Sequence, residues 1–164
     1  MLVKTMQVGP LGTNCYILGD ETEKVCAVID PGGDADAILS TLKADGLTLS
    51  VILLTHGHFD HTGGVAGLEK AFPNTPVYIN RGDVEGADPQ GFPPLPADVV
   101  RFYGEGDKVM VGSIPVEVLH TPATPRAQWC SRPGTSSSPG TPYSGAPWAA
   151  PTSPAAAMRR SWPP

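Results

Sequence analysis

The stretch Leu49-Ser50-Val51-Ile52-Leu53-Leu54-Thr55-His56-Gly57-His58-Phe59-Asp60-His61-Thr62 decides how this chain is read. Its first six residues, apolar but for Ser50, form a run of strand length, which predicts an interior strand covered on both faces. The run then empties into a segment holding three of the four histidines of the chain. From this composition alone, the pattern His-x-His-x-Asp-His should arise by chance with a frequency on the order of 10⁻⁴, so it is specific. A buried strand delivers the segment to the carboxyl end of a sheet, where α/β folds place their ligand sites. A Gly-containing loop lets alternate side chains diverge. His56 and His58 can converge on one ion while Asp60 and His61 face another. Imidazole with carboxylate suits Zn²⁺ first, with Fe or Mn as further possibilities.

Outward from this segment, the flanking sequence reads as alternating strands and helices. Leu2–Val8, Asn14–Gly19 and Lys24–Ile29 are rich in β-formers and separated by turn residues, which predicts an antiparallel meander. Residues 35–44 carry Ile38, Leu39 and Leu42 at helical spacing, with Gly46 as a stop. A second helix is predicted over residues 64–71, ended by Pro73, and a short strand over Val77–Ile79. Residues 81–98 read as loop, with a Pro-rich stretch at 92–96 suited to a lid or rim. Lys108–Val111 and Ile114–Leu119 read as a hairpin turning at Gly112-Ser113.

Two further residues bear on the candidate site. Asp30 closes the third strand before a Gly-Gly turn, and is either a turn residue or a carboxylate that orients a metal-bound imidazole. Asp34 reads as the cap of the first helix. Pro31-Gly32-Gly33 lacks the surroundings of a phosphate-binding loop. His120, at the end of the last apolar strand, reads as structural. Cys15, Cys26 and Cys130 have no metal-type spacing, and the first two read as buried thiols rather than parts of a disulfide framework.

Composition divides the 164 residues in two. Gly and Pro number 19 each, together about twice the usual share. Residues 121–164 hold 10 of the 19 prolines and all three tryptophans, and no Asp, Glu, Lys, Ile, Leu, Val or Phe. The segment before them carries all 16 acidic residues and a net charge of −9, whereas the tail carries +4. The acidic front argues against nucleic-acid binding through phosphates. No apolar run approaches the length of a membrane span. The start lacks the pattern of a secretory signal, so a cytoplasmic location is expected.

Four pieces carry a family resemblance: Leu11-Gly12-Thr13-Asn14-Cys15-Tyr16-Ile17-Leu18, Val28-Ile29-Asp30-Pro31-Gly32-Gly33, Ile52 to Gly64, and Val116-Glu117-Val118-Leu119-His120-Thr121-Pro122. In this order they resemble the metallo-β-lactamase superfamily, and within it the short bacterial relatives of glyoxalase II (hydroxyacylglutathione hydrolase). The resemblance implies the N-terminal portion of an αββα sandwich over residues 1–122, with a two-metal site at one edge. His56 and His58 would hold one Zn²⁺, Asp60 and His61 the other, and Asp60 would also orient the water. A metal-activated water would attack the carbonyl of a small-molecule thioester. An iron-dependent persulfide dioxygenase shares the signature and is the alternative enzyme. A non-catalytic product is the alternative of a different class.

The resemblance breaks directly after Pro122. The family continues with Gly-His-Thr, whose His is a metal ligand, and later with Gly-Asp-Thr, whose Asp bridges the metals. Here the chain reads Ala123-Thr124-Pro125-Arg126, with no His after His120 and no Asp after Asp107. Taking the third base of each tail codon with the first two of the next, synonymous codons admit Gly-His-Thr at this point and Gly-Asp-Thr further on. We therefore expect residues 123–164 to be a disordered, frameshifted tail following a one-base loss near codons 122–123. The four ligands would then be half a site.

Overall fold

A computed structural model describes residues 1–85, 97–121 and 128–133, with Glu85, Thr121 and 128–133 described by their backbone alone. Three layers build the fold: two helices, a six-stranded sheet and a three-stranded sheet. The first sheet has the order β1(Leu2–Val8), β2(Thr13–Asp20), β3(Val25–Ile29), β4(Thr48–Leu53), β5(Val77–Ile79), β6(Val100–Phe102). Its first three strands form the expected antiparallel meander, and β3 to β6 run parallel. The second sheet joins β7(Lys108–Val111), β8(Ile114–Thr121) and β9(Gln128–Pro133), antiparallel throughout.

Strand β4 shows why its apolar run needed cover on both faces. A register irregularity opposite Cys26/Ala27 resets the alternation of its side chains. Ile52 and the adjoining Leu54 then face the helices, while Val51 and Leu53 face the second sheet. On the helix side they meet Ile38 and Leu42 of α1(Ala35–Asp45) and Val65 and Leu68 of α3(Val65–Ala71). On the other side they meet Val109, Val111 and Val116. Each core removes apolar surface from water, the main favourable contribution to such a fold.

Helix α1 ends at Gly46, which takes a left-handed conformation (φ 65°) with its N–H directed at the carbonyls of Leu42 and Lys43. Glycine reaches this conformation without a Cβ penalty. The start of α1 differs from expectation. Asp34 occupies the cap position, but its side chain makes no cap bond and instead accepts the Gly9 N–H at 2.8 Å. A contact across 25 residues thus replaces the local one.

Other departures lie at shorter elements. The segment after His58 is a turn of helix, α2(Phe59–Thr62), rather than irregular loop. Residues expected to be loop begin with α4(Arg81–Glu85). Strands β6 and β9 carried no sequence signal; each is short and gains its hydrogen bonds from a neighbouring strand. Within the tail expected to be disordered, 128–133 instead pair with β8 as β9, whose backbone takes its hydrogen bonds from that neighbour. Residues 123–127 and 134–164 of that tail, and the Pro-rich stretch 92–96, lie outside the described residues. Cys15 and Cys26 are buried free thiols, and burial pushes both up to about 12. Among the described residues no helix is long and apolar enough to cross a membrane.

Candidate metal centre

The site forms where β3 and β4 end side by side. Asp30 continues β3 with its N–H donated to the Leu53 carbonyl at 3.0 Å, and its side chain is fully buried. Its Oδ1 accepts the Thr55 N–H and its Oδ2 the Thr55 hydroxyl, both at 2.7 Å. Oδ2 also lies 3.0 Å from His61 Nδ1, at ion-pair distance though off the linear hydrogen-bond direction. Asp30 therefore stands beside an imidazole, as the second of its two sequence readings requires, while its side-chain hydrogen bonds go to Thr55. The His61 ring thus lies between two carboxylates, Nδ1 toward Asp30 and Nε2 toward Asp60.

Backbone geometry sets the histidines. Leu54 donates its N–H to the Tyr78 carbonyl at 2.9 Å and accepts the Tyr103 hydroxyl, which anchors the chain just before Thr55. In α2, the N–H groups of His61 and Thr62 reach back to the His58 carbonyl, at 2.9 and 3.2 Å. This turn folds His61 under His56. Their ring centroids are 4.0 Å apart, and those of His56 and His58 are 4.6 Å apart. His56 Nδ1 lies 3.0 Å from the Thr55 hydroxyl.

Electrostatics separate the rings. Burial pushes His56 down to about 4, reinforced by His61, so it is neutral at physiological pH. A neutral imidazole is the form that binds metal. For His61, burial alone would lower the pKa, but Asp30 and then Asp60 outweigh it and the balance is upward.

Asp60 completes the cluster. Its Oδ2 accepts the Thr13 hydroxyl at 3.1 Å and stands 3.4 Å from His61 Nε2. Two donors on one tetrahedral ion, each about 2.0–2.1 Å from it, are about 3.3 Å apart. Asp60 and His61 therefore fit adjacent positions on a single ion. Among the described residues, no three His, Cys, Asp or Glu side chains are grouped so that they could hold one.

The four residues singled out from sequence, His56, His58, Asp60 and His61, lie in a row, His58 against His56, His56 against His61 and His61 against Asp60, and do not converge as a group of three donors. His120 is exposed, its N–H donated to the Glu105 carboxylate. Two partners were missed, Thr55 and Thr13. Both lay inside the quoted motif pieces, but nothing in the chain announces a contact reaching 25 or 47 residues. Gly32 acts through close approach: a Cβ there would lie 1.7 Å from the Asp60 carbonyl oxygen. The Gly-Gly turn seats the loop that carries Asp60 and His61.

The sequence pattern described as "Metallo-beta-lactamase superfamily" matches residues 8–132. An uncharacterized protein of Aquifex aeolicus is 36% identical over 131 residues, covering 74% of this chain and 60% of its own. A hydroxyacylglutathione hydrolase of Aeromonas hydrophila is 36% identical over 113 residues, covering 69% of this chain and 40% of the relative. The chain thus spans less than two thirds of these relatives. Among solved structures, BLEG-1 B3 metallo-beta-lactamase superposes with a TM-score of 0.66 at 30% identity, covering 80% of this chain and 67% of the other. TTHA1623 in a di-iron-bound form does so with a TM-score of 0.62 at 32% identity, covering 96% and 85%.

Proposed function

Because the chain belongs to the metallo-beta-lactamase superfamily of hydrolytic metalloenzymes, we propose that it descends from a hydrolase of small-molecule thioesters of the acylglutathione type. The observation that carries the reading is the line Asp30–His61–Asp60, which presents an imidazole Nε2 and a carboxylate oxygen at the spacing of two donors on one ion. Hydroxyacylglutathione hydrolases among the relatives support the thioester class.

When bound, divalent metal at such a site lowers the pKa of water and polarises a carbonyl. Zinc is the metal we propose, and iron the alternative suggested by the di-iron neighbour. The chain's own part is positional. Asp30 holds His61 in one tautomer, burial keeps His56 neutral, and Asp60, with 22% of its side chain exposed, can orient a water. A cytoplasmic setting belongs to the same proposal.

We assign the incomplete donor set to a one-base loss near codons 122–123. On this reading residues 123–164 supply no ligand, and the chain as written is impaired. A catalytic zinc ordinarily takes three protein ligands. Metal analysis of the purified 164-residue chain, with S-lactoylglutathione hydrolysis, tests the proposal. Weak zinc uptake with poor turnover is the expected result. Two tightly bound zincs with good turnover overturn the impairment, and one iron with O₂ uptake on a persulfide overturns the hydrolase assignment.

A further inference from the structure

We propose that Thr13 is a positioning residue for Asp60, holding the same carboxylate oxygen that faces His61. The inference rests on the reading of residues 56–61 as metal donors. The Thr13 hydroxyl donates to Asp60 Oδ2 at 3.1 Å, and that atom is the one 3.4 Å from His61 Nε2. A donor on a ligating oxygen fixes the carboxylate torsion and leaves the oxygen's other lone pair directed at the ion.

Both ends of this bond are anchored to one piece of backbone. Thr13 opens β2 directly after the turn in which Gly12 N–H reaches the Gly9 carbonyl at 3.2 Å. Gly9 in turn donates to Asp34 Oδ2 and packs so tightly on Gly33 that a Cβ there would lie 2.7 Å from Gly9 Cα. Asp60 rests against Gly32, and the Gly64 N–H reaches the Pro31 carbonyl at 2.7 Å. Residues 30–34 thus hold the β1–β2 turn on one side and the metal loop on the other. The hydroxyl–carboxylate distance follows from packed backbone rather than from a chance approach of surface side chains.

The test is a Co²⁺ titration of the full chain, followed by visible absorption, for wild type, Thr13→Val, Thr13→Ser, Asp60→Ala and the double variant that combines Thr13→Val with Asp60→Ala. Thr13→Val is expected to weaken Co²⁺ binding about tenfold, the usual scale for loss of an outer partner. Thr13→Ser restores it, and Thr13→Val adds nothing in the Asp60→Ala background. Equal weakening in both backgrounds overturns the proposal. The same variants unfolded in urea without metal give an independent reading. Midpoint shifts of the two single substitutions that exceed, in sum, that of the double support the bond, and additive shifts overturn it. A wild-type chain that takes up no Co²⁺ defeats the metal-site reading, and the metal-free comparison still decides whether Thr13 holds Asp60.

Discussion

Asp30 Oδ2 stands 3.0 Å from His61 Nδ1 in a site where Asp30 is fully buried and bonded twice to Thr55. One carboxylate therefore ties the end of β3 to the end of β4 and to the turn of α2. Asp30→Asn keeps the shape but places an NH₂ where two donors now point. We expect a loss of about 3 kcal/mol, since a buried acceptor bonded twice to Thr55 is replaced by a group that is half donor. His61 should also exchange its tautomer, because the amide NH₂ favours an acceptor at Nδ1. Urea unfolding measures the first effect and ¹⁵N chemical shifts of the imidazole the second; an unchanged tautomer would show that Asp30 does not orient the ring.

His56 and His61 make stability depend on pH in opposite senses. His56 falls from its ordinary 6.5 to about 4, so the unfolded chain binds its proton more tightly and stability declines as pH drops from about 6.5 toward 4. His61 is raised, so its contribution is complete below about 6.5 and declines as pH rises through its folded value. The metal-free chain should be most stable near pH 6.5. Urea midpoints between about pH 4 and 8 test this, with His56→Gln expected to flatten the acid limb and His61→Gln the alkaline one.

Gly32 and Gly12 separate two uses of glycine. A Cβ at Gly32 would lie 1.7 Å from the Asp60 carbonyl oxygen, and backbone atoms cannot give way cheaply. Gly32→Ala should cost about 3 kcal/mol or more, as severe overpacking does, and should displace Asp60. Gly12 has nothing within 4 Å of a Cβ but a φ of +63°, so Gly12→Ala should cost only about 1 kcal/mol. Thermal unfolding of the two variants gives the comparison, and equal losses would deny Gly32 its packing role.

Restoring one base near codon 122 should yield a chain that reads Gly-His-Thr after Pro122 and binds metal tightly. His56→Ala in the chain as written should abolish whatever binding remains. Sequencing the DNA across codons 120–126 comes first: an intact frame that encodes Ala123 would end the frameshift proposal.

The path from sequence to site was uneven for a physical reason. Helix α1, its stop at Gly46 and strand β5 were legible because periodicity and backbone preference act within a few residues. Strands β6 and β9 were not, because short strands take their hydrogen bonds from neighbours rather than from their own side-chain pattern.

The chain by itself determined that His56, His58, Asp60 and His61 leave a doubly buried strand together, since their spacing and the apolar run before them are local facts. Tertiary structure alone decided their partners. Asp30 pairs with His61, Thr13 with Asp60, and Asp34 with Gly9 instead of its own helix. These contacts join segments distant in sequence, and only the order of strands in the sheet brings such segments within hydrogen-bond reach.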